Sequence, residues 1–483
     1  MRLKSAVLLS ALLSLTVILP AAATNADTMW HIAHIATLPH GAVGLPQGYL
    51  PALSCSAAGY CTAGGAYNDA SKNAQGFVLS EVAGVWKAPT KLVAPPGALV
   101  NPALTPESVS CGAIGSCVVV GNYQDASNNS QSFLATEVHG VWGPSREISL
   151  PANAATTSQT SQLRSVSCAS AGNCSAVGSY IDNSQPTGHI EGYVLSEVRD
   201  TWSSTLQTKE PTNANTNPYV GFNQIKCGAP GDCTAVGSYI DRNNVTHGVV
   251  LDQRGGRWAT AMALELPGDA NAFPSASLSE VSCATASNCT AIGSYTTDLG
   301  AIDGLTVTEA RGTWQRAVAM QLPAGVGANP HVFFYGYGGL SCTSIGNCSG
   351  GGQYRDAANQ YEGFLIDEVN GVWKQANELI LPSGARAAGK NGGVVAVSCR
   401  RAGVCSAGAA YLDGVGRYQA LVVNEVAHRW RTGLKVTLPD RATSVGVDGG
   451  VYGLVCSPQG PCTATGSYLD ATSAYEGFTL TTG

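Results

Sequence analysis

Sixteen cysteines stand in eight pairs with five residues between partners. The pairs are Cys55/Cys61, Cys111/Cys117, Cys168/Cys174, Cys227/Cys233, Cys283/Cys289, Cys342/Cys348, Cys399/Cys405 and Cys456/Cys462. Thiols so spaced serve either as metal ligands or as a disulfide. Structural zinc wants roughly two to four residues between ligands, with a second pair or histidines close by. None of the eight histidines recurs at a fixed place. The spacing instead suits a covalent link over a turn between two strands, formed in an oxidising compartment. In the chain-entropy treatment each small loop contributes about 2 kcal/mol.

Carboxylates recur as well. A tyrosine follows each second cysteine, and two residues later stands Asp69, Asp125, Asp182, Asp241, Asp356, Asp413 or Asp470 in seven of the eight units. Such an aspartate caps a turn through its own backbone. A ring of cation-holding carboxylates is the competing reading, although one carboxylate per unit falls short of a calcium loop. Glu81, Glu137, Glu197, Glu309, Glu368 and Glu425 each precede a tryptophan by five residues. Carboxylate pairs carry glycoside hydrolysis. Repetition around a pseudo-symmetric array argues for a structural role, since a catalytic site breaks symmetry. The eight tryptophans recur in the same way and read as packing.

The elements that must hold these residues come from the repeat itself. Its period is about 57 residues. Trp30, Trp86, Trp142, Trp202, Trp258, Trp314, Trp373 and Trp430 are each followed nine residues later by proline. Each unit reads as four short strands. The first ends on the first cysteine, and the second alternates small residues, as in Cys174, Ala176 and Gly178. The third is rich in aromatic and β-branched residues, and the fourth begins at the tryptophan. Gly, Asn, Asp and Pro clusters mark the junctions. Four strands repeated eight times predict an all-β, eight-bladed β-propeller. The last unit stops near Thr482 without a tryptophan strand, and Trp30 to Pro39 supplies one. A ring closed by its N-terminal strand explains that split, because closure leaves no bare sheet edge.

The pattern SVSC-x5-C-x-AVGSY followed by LSEV-x-G-x-W resembles the blades of secreted bacterial β-propeller repeat proteins, many of unassigned function, and is loosely similar to kelch blades. The resemblance covers nearly the whole mature chain and implies no catalytic residues. The sialidase-type Asp-box fails at Ser80 to Trp86, where the acid and the tryptophan are each one position off.

Residues 1–26 read as a secretory signal peptide: a basic MRLK start, a short apolar run, and a small-residue site with cleavage after Ala23 or Ala26. The propeller then spans 27–483, with 27–40 as the closing strand. The expected location is extracellular, without stable membrane insertion. Loss of Arg2 and Lys4 leaves a charge of about −8, which argues against nucleic acid as partner.

Function belongs where the units differ. Length varies in the loops between strands two and three and between blades, which share one face of a propeller. The largest insertions are three residues each, in 181–192 and 324–339. Phe77, Phe133, Phe364 and Phe478 hold equivalent third-strand core places, whereas Phe222, Phe273, Phe333 and Phe334 fall in inter-blade segments. Counting back from the cysteine, Phe222 and Tyr337 align with core positions. Tyr219 and Phe334 align with polar ones. Tyr219, Phe273, His331, Phe333, Phe334 and Tyr335 are therefore the candidate ligand-binding patch. This reading assigns no catalytic residue, no metal and no cofactor. It expects a monomeric binding or scaffold module for an extracellular glycan or protein. The alternative is a polysaccharide-active enzyme, a glycosidase or lyase, on the same scaffold.

Overall fold

Blade three shows how the repeat folds. Its inner strand, Ser161–Ser170, turns back into Asn173–Ile181, then into Ile190–Val198, and the outer edge is Thr201–Trp202 with Leu206–Gln207. The strands pair antiparallel in chain order, and Cys168 faces Cys174 across the first hairpin. Placed so, the two sulfurs bond, and all eight pairs form disulfides within their own blades. The computed structural model describes residues 30, 32–43, 50–156, 159–184, 188–336, 338–386, 392–439 and 449–482. The expected signal segment lies outside the described residues, as does Tyr337. Among the described residues no helix is long and apolar enough to cross a membrane.

The second cysteine of each pair lies deep in the ring. Cys61, Cys117, Cys174, Cys233, Cys289, Cys348, Cys405 and Cys462 are each between 1% and 4% exposed, whereas their partners, Cys456 apart, are half-buried. The preceding blade covers them. The Thr62 hydroxyl lies 3.5 Å from Cys117 Sγ, and that of Thr234 lies 3.6 Å from Cys289 Sγ. Ser349 and Ser406 approach Cys405 and Cys462 in the same way, at 3.4 and 3.6 Å. The disulfides expected from the spacing are thus present, with the second cysteine of each as its interior end.

Eight such blades make a β-propeller. The second strands are small-residue runs because both their faces are covered by neighbouring blades. Gly178 illustrates the constraint: a Cβ there would meet the Gln162 carbonyl oxygen at 2.2 Å. Apolar clusters therefore form between blades. Val236 and Val250 of blade four pack with Leu278, Val281 and Leu305 of blade five. The repeated tyrosines are buried in every blade, and Tyr67 meets Phe77 edge-on at 5.8 Å. Several of their hydroxyls still find partners, as Tyr180 donates to Asn153 and Tyr295 to Asp269, both at 2.9 Å.

The expected fourth strand is split. In blade one Glu81 faces Trp86, but Val78 faces Thr90, so the register slips by one residue between Val85–Trp86 and Thr90–Lys91. That slip is a bulge, which bends the outer edge. The tryptophans are half-buried against the inter-blade clusters. Several donate to the preceding blade, Trp314 to Asp252 at 3.1 Å and Trp430 to Asp367 at 3.0 Å.

Closure follows the same rule. His34 faces Thr479 and Ile35 faces Phe478, with Trp30 bridging Thr482. Trp30 donates to Asn424 of blade seven at 3.2 Å, as Trp314 and Trp430 donate to their own preceding blades. The N-terminal strand thus completes blade eight.

The recurring aspartates hold turns. Asp69 Oδ1 accepts the backbone N–H groups of Ser71 and Asn73 at 2.9 and 3.0 Å, and Asp125, Asp241, Asp356, Asp413 and Asp470 do the same. Single bridges such as Ala98 to Asp125 and Val326 to Asp356 tie each inter-blade segment to this turn. Both loop sets therefore lie on one face.

The six box glutamates are buried near the opposite end, with Gln253 in their place in blade four and Thr482 in blade eight. Glu309 pairs with Arg254 of the preceding blade. Burial pushes Glu197 up to about 7, and Glu425 up to about 8 with help from the Asp367 charge.

Candidate aromatic site over blades six to eight

Blade six departs from the repeat just ahead of its inner strand. Phe333 pairs with Gln353 and Gly221 pairs with Ser238, the two partners standing equally far past Cys348 and Cys233. Phe333 is thus the counterpart of Gly221, and Phe334 of Phe222. Three extra residues lie between Phe334 and Cys342. They are accommodated in a glycine-rich excursion, with Gly336 and Gly338 at φ +78° and +110°, where side chains are disfavoured. Gly336 N–H donates to Glu280 of blade five at 3.2 Å, and Gly338 accepts from Val397 N–H of blade seven at 2.8 Å.

This excursion corrects one expectation. Phe334 is not on the surface patch: it is 5% exposed and meets Phe364 edge-on at 5.9 Å. Counting back from the cysteine misplaced it because the inserted residues lie between them. Its neighbour Phe333 points the other way and is 49% exposed. The true counterpart of Tyr219 is His331, and the two share a left-handed backbone, φ +48° and +44°.

His331, Phe333 and Tyr335 come together on the wall of a cavity of about 600 Å³ between blades six, seven and eight. Tyr361, Tyr418 and Tyr452 complete the aromatic lining, and Gln353 supplies an amide. Phe333 and Tyr335 meet edge-on at 5.1 Å. Tyr335 donates to Gln353 Oε1 at 3.0 Å, and Gln353 donates to the Gly392 carbonyl at 3.2 Å. The Tyr335 ring lies over Gly393, where a Cβ would meet the hydroxyl at 2.5 Å and push the phenol aside. Burial, with Tyr418, Tyr452 and Tyr361 nearby, pushes the Tyr335 phenol up to about 12, so it is a neutral donor at ordinary pH.

One corner of the site is polar. The Tyr361 hydroxyl lies 3.5 Å from His331 Nδ1 and accepts from Arg355 Nη2 at 2.8 Å, and the guanidinium sits 4.6 Å from the ring centre. No carboxylate is among the described residues lining the cavity.

Tyr219 and Phe273 are exposed, at 53% and 66%, but do not line the cavity. Phe273 stands where Asn101, Asn217 and Asn329 accept a backbone N–H from the third strand of the blade before. Sequence reasoning missed Tyr361, Tyr418 and Tyr452. A usable signal existed for two of them. Tyr361 and Tyr418 open their third strands, a place held by Ala74, Ser130, Ile190, Thr246 and Ile302 in blades one to five.

A second cavity, about 330 Å³, is the central channel, lined by all eight inner strands and by Gly336 and Gly338. It is polar, with Glu107, Arg164, Gln224 and Lys226 on its wall. Burial pushes Glu280, beside the channel, up to about 7, and the channel walls push Lys226 down.

Fold and site together define an eight-bladed, disulfide-stapled β-propeller with an aromatic cavity on its loop face. No protein-family model matches the chain, and no curated protein matches it. Among solved structures it is similar to a protein of unknown function from Dyadobacter fermentans, at 12% identity and TM-score 0.37, covering 81% of this chain and 97% of that one. It is similar to a Trypanosoma rangeli sialidase in complex with sialic acid at 10% identity and TM-score 0.33, covering 81% of this chain but only 55% of the sialidase. An ulvan lyase of polysaccharide lyase family PL25 is similar at 8% identity and TM-score 0.41, covering 92% and 93%. No residue role passes from these proteins to this chain.

Proposed function

We propose that the protein is a secreted binding propeller whose aromatic cavity holds a glycan. The observation that carries this reading is the lining itself, with Phe333, Tyr335, Tyr361, Tyr418 and Tyr452 converging on about 600 Å³ of concave space. That volume suits a small or chain-end ligand rather than a flat protein surface. Tyrosine offers a rigid apolar face for a sugar ring and a hydroxyl for its polar edge, at low entropy cost. The disulfides fit an oxidising, extracellular setting.

The test is a glycan array with the mature protein, followed by calorimetry on the hits. Tyr418→Ala and Tyr452→Ala weaken binding by about 10-fold or more, roughly 1.4 kcal/mol, with melting unchanged. Binding that ignores both substitutions refutes the cavity as the seat.

One observation favours a second reading, an eliminase acting on uronate-containing polysaccharide. The observation is that the His331 imidazole and the Arg355-bound Tyr361 hydroxyl stand together at one corner of the cavity. In this reading His331 takes the proton from C5 of the uronate, and the Tyr361 phenol protonates the departing O4 as the C4–O bond breaks and the C4–C5 double bond forms. Arg355 neutralises the uronate carboxylate throughout, and the proton taken by His331 returns to the Tyr361 phenolate, which resets both groups. Unsaturated sugar ends, read by ultraviolet absorbance and lost in Tyr361→Phe, would establish this reading over simple binding.

A further inference from the structure

Blade three carries the other large insertion, and it alters the repeated turn chemistry. In blades one, two and seven the aspartate of that turn is met by an amide: Gln75 donates to Asp69 at 3.3 Å, Gln131 to Asp125 at 3.0 Å and Gln419 to Asp413 at 2.8 Å. Blade four uses His247 against Asp241 at 3.1 Å. In blade three the equivalent residue is Glu191, as Glu362 and Glu476 are in blades six and eight, and an ionised carboxylate has no proton to donate; blade three adds a histidine beside the pair. Two carboxylates therefore face one another, with Asp182 8% and Glu191 7% exposed.

His189 stands beside them, and one ligand atom from each of Asp182, His189 and Glu191 lies within 4.8 Å of the others. We propose that these three side chains form a divalent-cation site of the class that takes zinc. An imidazole with two carboxylates is a donor set suited to that ion, and three protein ligands leave a position open.

The surroundings are built for such a site. Asp182 Oδ1 is held by the backbone N–H groups of Ser184 and His189, at 3.0 and 2.7 Å. Gln207 hydrogen-bonds Glu191. Asn153 donates to Gln207 at 3.2 Å and itself accepts from Tyr180 at 2.9 Å. Outer partners of this kind orient ligands and tune affinity. The local charge is negative: Glu210 feels the Glu191 carboxylate, and among the described residues His189 is the basic group that acts on both Asp182 and Glu191. A buried carboxylate pair needs a proton or a cation to neutralise it.

The experiment uses the oxidised mature chain, stripped with a chelator and titrated separately with Zn²⁺, Mn²⁺, Ca²⁺ and Mg²⁺ by calorimetry and thermal melting. The expected result is saturable binding of one Zn²⁺ with a raised melting temperature. Glu191→Gln restores the pairing of blades one, two and seven, so it folds. It and His189→Ala each weaken zinc binding at least about 10-fold. The proposal is overturned by the absence of saturable Zn²⁺ binding or by unchanged, wild-type affinity in both variants. A site that takes Ca²⁺ but not Zn²⁺ also overturns it. If Glu191→Gln does not fold, His189→Ala alone decides.

Discussion

Phe333 and Phe334 are adjacent in the chain and have opposite roles, so a matched pair of alanine substitutions tests the blade-six register directly. Phe334 is 5% exposed among Val332, Leu340, Tyr354, Phe364 and Ile366. Removing a fully packed phenylalanine costs about 3–5 kcal/mol. The edge-on contact with Phe364 accounts for about 0.5–1.5 kcal/mol of that. Phe333 is half exposed and touches Tyr335 edge-on, so Phe333→Ala costs under about 1 kcal/mol. Phe222→Ala is the reference, because Phe222 fills the same place in blade four and is 2% exposed. Urea unfolding followed by tryptophan fluorescence gives midpoint and slope together, and an unchanged slope licenses comparison of the midpoints. The expected order is a large, similar loss for Phe334→Ala and Phe222→Ala and a small one for Phe333→Ala. On glycan hits, Phe333→Ala weakens binding. Equal destabilisation by Phe333→Ala and Phe334→Ala, or a neutral Phe334→Ala, would show that the inserted residues do not shift the register.

Two further predictions concern the whole ring. Deleting residues 27–39 removes the outer strand of blade eight and the Trp30–Asn424 contact, exposing a sheet edge, and lowers stability by about 3–5 kcal/mol. A truncated protein that melts with the full-length chain would refute closure. Stability also depends on pH with a definite sign. Glu197 and Glu280 rise from 4.5 to about 7 in the fold, so their contribution is complete below pH 4.5 and is lost as pH climbs through 7. The turn aspartates, such as Asp125 and Asp413, are lowered from 3.8, the hydrogen bonds that hold the carboxylate outweighing desolvation, and their contribution is lost below that value. Melting temperature therefore peaks near pH ~5 and falls toward pH ~8, at about 1.4 kcal/mol per pH unit for each fully buried glutamate. A flat profile over that range sinks the assignment.

Much of this architecture was legible in the chain because it is written in short, repeated patterns. A cysteine pair flanking a hairpin turn puts the two thiols opposite each other whatever the rest of the blade does, and alternation of small residues marks a strand covered on both faces. The displaced tryptophan strand at the N-terminus needs only a missing partner at the C-terminus to imply a ring. An aspartate at a fixed offset from a buried tyrosine caps its turn through local backbone geometry. Each of these is a near-neighbour constraint, so counting along the sequence is enough to find it.

The site obeys different rules. Counting from Cys342 put Phe334 on the surface, and only the pairing of Phe333 with Gln353 shows that the extra residues come after it, which turns Phe334 inward. Tyr361, Tyr418 and Tyr452 belong to three different blades and share a cavity only because the ring curves their strand ends toward one another. Glu191 likewise looks like an ordinary polar residue until it stands with Asp182 and His189, where blades one, two and seven place an amide against the aspartate. The sequence alone determined the repeat, the staples and the closure, because these depend on contacts a few residues apart or on one strand replacing another. Which side chains face a ligand was decided by the tertiary structure, because an insertion resets the register and convergence joins residues that no local spacing connects.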